Sequence, residues 1–199
     1  MSLINKVENY VNGMILKIQS DKKYYHGMDH TLDVVKISKQ IAISEGLSDD
    51  DLELLIIAAW FHDTGYLFCN DGHEIQSSIY AREFLEKESY PKTKINSIIN
   101  CIKATAIPQK PKNLLEEILC DADLHHLGLP DSEERGKLLR KELKETGVKD
   151  FSDIEWYKMS YDFMINHYYF TDYANKNFNE QKFLNLKKIE NKIKKLEAA

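Results

Sequence analysis

Residues 54–61 read Leu-Leu-Ile-Ile-Ala-Ala-Trp-Phe without a polar interruption, and His62-Asp63 follows at once. Elsewhere apolar positions recur at three- and four-residue spacing, the period of a helix with one face turned inward. The pattern predicts helices over 3–18, 29–45, 50–63, 73–89, 91–106, 113–127, 132–146, 151–168 and 172–197, and no alternating stretch that predicts a strand. Thr31 to Ala42 gathers Leu32, Val35, Ile37 and Ile41 into one apolar sector, interrupted by Lys36 and Lys39. Asp49, Asp50 and Asp51 stand where the third helix begins, and acid there suits the helix dipole. Gly65 lies just past the end of that helix as a C-terminal stop. Pro108 and Pro111 bracket a short polar loop, while Leu129-Pro130 and Gly147 separate later helices. The last segment is lysine-rich and amphipathic, a solvated helix docked along one face. The expected architecture is a single all-α domain over 1–199, a compact multi-helix bundle.

Composition narrows the function classes. A chain of 199 residues, 43% hydrophobic and 30% charged, can fill one ordinary globular core. The formal charge of −5 provides no global positive field, so a nucleic-acid polymer is not an expected partner. Cys69, Cys101 and Cys120 are odd in number and widely spaced, which argues against a disulfide framework or zinc ribbon and for a reducing compartment. The amino-terminal twenty residues lack an apolar signal region, and the run from Leu54 to Phe61 is too short to span a bilayer. A cytoplasmic protein without a membrane partner is the expectation.

Histidine placement supplies the chemistry. Six of the seven histidines fall between His26 and His126. A buried carboxylate such as Asp63 needs a partner or a metal. Three segments compete to provide it: His30 in "YYHGMDHT", His73 in "DGHEIQSS", and Asp121 or Asp123 in "DADLHHLG". Neighbours on a helix diverge by about 100°, so His62 and Asp63 can share an ion only if it sits near the helix end. Two histidines and two aspartates make a mixed nitrogen and oxygen site suited to Mn, Fe, Co, Ni or Zn, with Mg also admissible. The alternative is a set of ordinary helix termini whose acids face water.

The order His30, His62-Asp63, Asp123, with the flanking text "HTLDVV", "AAWFHDTGY" and "DADLHHLG", resembles the HD-domain superfamily of metal-dependent phosphohydrolases. The resemblance covers residues 24–130, with the segments after 131 packed on that core. It implies an HD-domain bundle with the metal between central helices, ligated by His30, His62, Asp63 and Asp123, and holding one divalent ion or two. Asp121 is the competing aspartate, which would otherwise orient a ligand histidine.

It also implies hydrolysis of a phosphate ester, of a nucleotide by preference, by metal-activated water, with a small phosphorylated molecule as partner. Asp63 would take or align the water's proton. His73, with Glu74, would bind a second ion, donate to a phosphate or cap its helix. Lys103 is the cation to test for steadying the leaving oxygens, against the reading of an exposed lysine on an amphipathic helix. His26 stands near the substrate or in a surface turn, His125 and His126 pack near the site, and His167 is structural or lines the pocket. "HDTGY" departs from the deoxynucleotidase, alarmone-hydrolase and cyclic-dinucleotide branches, which leaves the substrate open. The rival readings are a metal- or nucleotide-binding module without turnover, and an HD-fold di-iron oxygenase recruiting His73 and His126.

Overall fold

A computed structural model describes residues 1–18 and 23–198. Among them lie nine α-helices and no strand: α1 (Leu3–Ile18), α2 (Met28–Ser44), α3 (Asp49–Phe61), α4 (His73–Lys87), α5 (Lys92–Ala104), α6 (Leu114–Asp123), α7 (Ser132–Glu145), α8 (Asp153–Asn166) and α9 (Asp172–Glu197). Short 3₁₀ turns follow α3 at Thr64–Leu67 and α6 at His125–Gly128. No helix among the described residues is long and apolar enough to cross a membrane. The chain divides into two compact units, one of Met1–Ser20 with His26–Asp123, the other of Asp21–Tyr25 with Leu124–Ala199.

The first unit is built around α3. Every residue from Leu54 to Phe61 is buried, because a helix apolar on all sides is stable only when other helices cover every face. Ser48 caps its start by accepting from the Asp51 amide at 3.2 Å, with the three aspartates in the first turn. Around it pack α1, α2, α4, α5 and α6. Helix α1 contributes Val7, Val11 and Ile15, spaced one turn apart along a single stripe. The buried stripe of α2 differs from the expected sector. It consists of His30, Thr31, Val34, Ser38, Ile41 and Ala42, while Leu32 is exposed. With His30 turned inward, residues a turn or two further on follow it, and polar Ser38 is buried ahead of Leu32.

Gly65 also departs from its expected role. Helix α3 ends at Phe61 with His62 as its cap, and Gly65 lies inside the 3₁₀ turn with its amide donating to Ser77 Oγ at 2.8 Å. Its requirement is space: a Cβ there would stand 2.0 Å from the His73 carbonyl oxygen. The start of α4 is thus laid directly on the turn that carries the His-Asp pair.

In the second unit α9 packs on α8 and on the 3₁₀ turn His125–Gly128. Gly128 lies so close to α9 that a Cβ would stand 2.5 Å from Phe178. Asn185, buried on α9, donates to the Leu127 and Leu129 carbonyls at 2.9 and 2.7 Å. Ser152 and Glu155 form a reciprocal capping box at the start of α8.

Candidate metal centre

His30 stands in the first turn of α2, His62 caps the end of α3, Asp63 follows it, and Asp123 is the last residue of α6. Three helix ends therefore converge on one place. Asp63 has φ −108° and ψ 5°, outside the helix, which lets its side chain and that of His62 meet at one point. Asp121, two positions before Asp123, is rotated by about 200° on α6 and is fully buried.

The donor atoms are close. His30 Nε2 lies 3.2 Å from Asp63 Oδ2 and 3.2 Å from Asp123 Oδ1. His62 Nε2 lies 3.2 Å from Asp63 Oδ2, 3.6 Å from Asp123 Oδ1 and 3.3 Å from His30 Nε2. One ligand atom from each of the four residues falls within 4.8 Å of all the others, the one such group among the described residues. His62 Nδ1–H donates to the Ala59 carbonyl at 2.8 Å, so the ring, once neutral, presents its lone pair at Nε2. Two imidazole nitrogens facing each other across 3.3 Å, with two carboxylates beside them, form a donor set that fits a divalent cation.

The metal-free electrostatics describe the same pull. Burial opposes charge on His30, but hydrogen bonds to Asp123 and Asp63 outweigh it and lift its pKa. Burial also opposes charge on His62, and the Asp63 carboxylate, with hydrogen bonds to both aspartates, raises its pKa well above the ordinary imidazole value. Burial works against ionised Asp63, yet the charge on His62 and hydrogen bonds from both histidines hold its pKa well below the usual carboxylate range. Asp123 is lowered too, its burial outweighed by hydrogen bonds from His30 and His62. The two buried histidines and two partly buried aspartates thus favour one another's charged forms, and a cation would take the place of the histidine protons.

Beside the cluster stands His73. Its Nδ1–H donates to the Asn70 carbonyl at 3.0 Å, and its Nε2 lies 3.7 Å from Asp63 Oδ1 and 3.4 Å from Glu74 Oε1. The two oxygens of Asp63 are therefore divided, Oδ2 toward the histidine pair and Oδ1 toward His73. Tyr66, which sequence reasoning passed over, is stacked between His26 and His73, with ring centroids 3.6 Å apart on each side. Its only sequence signal is an aromatic residue three places after Asp63.

Lys103 is exposed in the last turn of α5 and makes no ion pair among the described residues, where the exposed-helix alternative puts it. His125, His126 and His167 belong to the second unit. There His125 packs on Phe178, His126 meets the Tyr25 hydroxyl at 3.1 Å, and His167 caps α8 with its ring edge-on to Tyr169.

Comparison with known proteins agrees with this geometry. The sequence signature of the HD domain matches residues 27–128. No curated protein matches the chain. Among solved structures, a protein from Lactobacillus plantarum superposes with a TM-score of 0.71 at 16% identity, over 98% of this chain and 97% of that one. A protein from an uncultured Thermotogales bacterium, described as a predicted HD superfamily hydrolase, gives 0.62 at 17% identity, over 98% and 99%. A protein from Listeria innocua gives 0.62 at 20% identity, over 95% and 98%. At these identities the likeness speaks for the fold.

Proposed function

Since the chain belongs to the HD-domain family, we propose that it is a metal-dependent phosphohydrolase acting on a small phosphate ester, a nucleotide by first choice. The observation that carries this reading is the convergence of His30, His62, Asp63 and Asp123 within 4.8 Å. These four residues would hold a divalent cation, one of Mn, Fe, Co, Ni, Zn or Mg. When bound, such an ion supplies the positive charge that polarises a phosphoryl oxygen and acidifies water.

The protein's own groups do the rest. Asp63 Oδ2 holds the histidine pair in place, while Asp63 Oδ1 accepts the proton of the attacking water. His73 Nε2, 3.7 Å away, receives that proton in turn or presents it to the departing oxygen. Glu74, 3.4 Å from the same nitrogen, stabilises the imidazolium that forms. Tyr66, wedged between His26 and His73, fixes the plane of the His73 ring. Lys103 is the cation proposed to steady the leaving oxygens, so Lys103→Met is expected to lower kcat, and an unchanged kcat returns it to an ordinary exposed lysine of α5. The likeness to the Lactobacillus plantarum structure over 98% of the chain supports the further proposal that residues 1–199 work as one HD-domain protein.

The test is a product assay over nucleotides, cyclic nucleotides and model phosphodiesters with added Mn²⁺, with Asp63→Ala as control. Turnover by the parent protein, lost together with bound metal in a variant of unchanged helical content, is the expected result. Full activity and full metal content in Asp63→Ala overturns the site assignment. Silence of the parent protein across the panel, with tight nucleotide binding, moves the reading to a binding module.

A further inference from the structure

The second unit contains a cavity of about 290 Å³ bounded by α7, α8, α9 and the turn His125–Gly128. Its walls are Leu139, Trp156, Met159, Phe163, Met164 and Ile189. A closed apolar cavity of about 150 Å³ in a helical protein takes up benzene, and this half-open cleft, with Met159 exposed at its mouth, is nearly twice that size. Packed helices normally close up such apolar space, because unfilled walls lose their dispersion contacts.

Here the sequence keeps the space open. Gly136 sits within α7, where glycine is a poor helix former, and it faces the cavity. A Cβ at that position would meet only the Trp156 ring, at 3.7 Å, so no close approach of another backbone requires the glycine. Two methionines beside two aromatic rings make a wall that is soft and polarisable, favourable to the face or edge of another ring. At the rim Glu133, Glu134 and Lys188 carry both signs of charge. The Glu133 carboxylate is already engaged by the Tyr157 hydroxyl at 3.1 Å and Lys192 at 3.2 Å. No net field selects an ion of either sign.

We propose that this cavity binds an uncharged aromatic molecule about the size of two fused rings, at a site separate from the histidine–aspartate cluster. Gly136 is the residue that makes room for it, and the ligand's ring lies against Trp156.

The experiment titrates the full-length protein with N-phenyl-1-naphthylamine, a neutral aromatic whose emission rises in apolar surroundings. The expected result is a saturable enhancement with one site per chain and energy transfer from tryptophan. Gly136→Leu, which fills the space from α7, weakens binding at least tenfold while its unfolding midpoint stays at or above that of the parent. Trp156→Phe keeps the directly excited enhancement and loses most of the energy transfer, leaving only what Trp60 supplies. The absence of saturable binding by the parent overturns the proposal, as does equal affinity in a folded Gly136→Leu protein. If Gly136→Leu does not fold, energy transfer that is undiminished in Trp156→Phe places the probe elsewhere and overturns it equally. Enhancement that tracks a doubling of sedimenting mass gives the cavity to a second copy of the chain and also overturns it. Displacement by n-octanol but not by naphthalene overturns the aromatic assignment.

Discussion

Asp63 holds two histidines and a third at once by dividing its oxygens between them. Oδ2 lies 3.2 Å from His30 and from His62, and Oδ1 lies 3.7 Å from His73. Because the two aspartates lift His30 and His62 above the ordinary imidazole pKa, the metal-free cluster holds its protons to higher pH than a free imidazole would. A cation must displace them, so Mn²⁺ affinity rises with pH until both histidines are neutral and then levels off. Calorimetric titration from about pH 6 to about pH 9 checks this, with proton release on binding as the second readout. Affinity that falls as pH rises contradicts the assignment. Gly65 makes the opposite kind of demand, for emptiness. Gly65→Ala places a methyl against the His73 carbonyl and is expected to cost about 2–3 kcal/mol in urea unfolding, while pulling His73 away from Asp63. Its counterpart is Gly13, in the middle of α1 with open space where a Cβ would go. Gly13→Ala is expected to stabilise by about 0.5–1 kcal/mol, since only helix propensity changes.

On the scale of elements, α9 illustrates how position overrides composition. Its sequence is rich in lysine, yet Lys182 is half-buried, donates to the His167 carbonyl, and has its pKa lowered to about 8 by that burial. A lysine whose folded pKa lies below its unfolded value weakens the fold while it is charged, and the penalty disappears as pH climbs from the lower value to the higher. Lys182→Met is therefore expected to be more stable than the parent near pH 7, with the difference shrinking between about pH 8 and about pH 10.5, as followed by urea melts. The nine helices of the described residues were legible because the apolar spacing is strong and the chain has only 8 glycines and 4 prolines to interrupt it. Their ends were less so: the sixth was expected to run to 127 but gives way after Asp123 to a 3₁₀ turn, because Gly128 must fit against Phe178. Similarly, hydropathy alone pointed to Leu32 as a core residue, and the inward turn of His30 decided otherwise. The order of the four histidine and aspartate donors was readable because the metal chemistry restricts residue type. The stack of His26, Tyr66 and His73 was not, because ring-on-ring packing leaves no pattern along the chain.

For the whole molecule, ligand and fold are linked. A cation that binds the native cluster and not the open chain stabilises by about 2.7 kcal/mol at a hundredfold excess over its Kd. The thermal midpoint should rise with Mn²⁺ in the parent and stay fixed in Asp63→Ala, and an equal rise in both would mean that the metal acts elsewhere. The hydrogen-bonded pair His30 and Asp123 spans 93 residues of sequence, with His62 and Asp63 in between. During synthesis a chain that has emerged only as far as residue 100 has three of the four donors and no closed cage. The cluster thus becomes available only once Asp123 has left the ribosome, and uptake of the ion can serve as a timestamp for completion of the first unit.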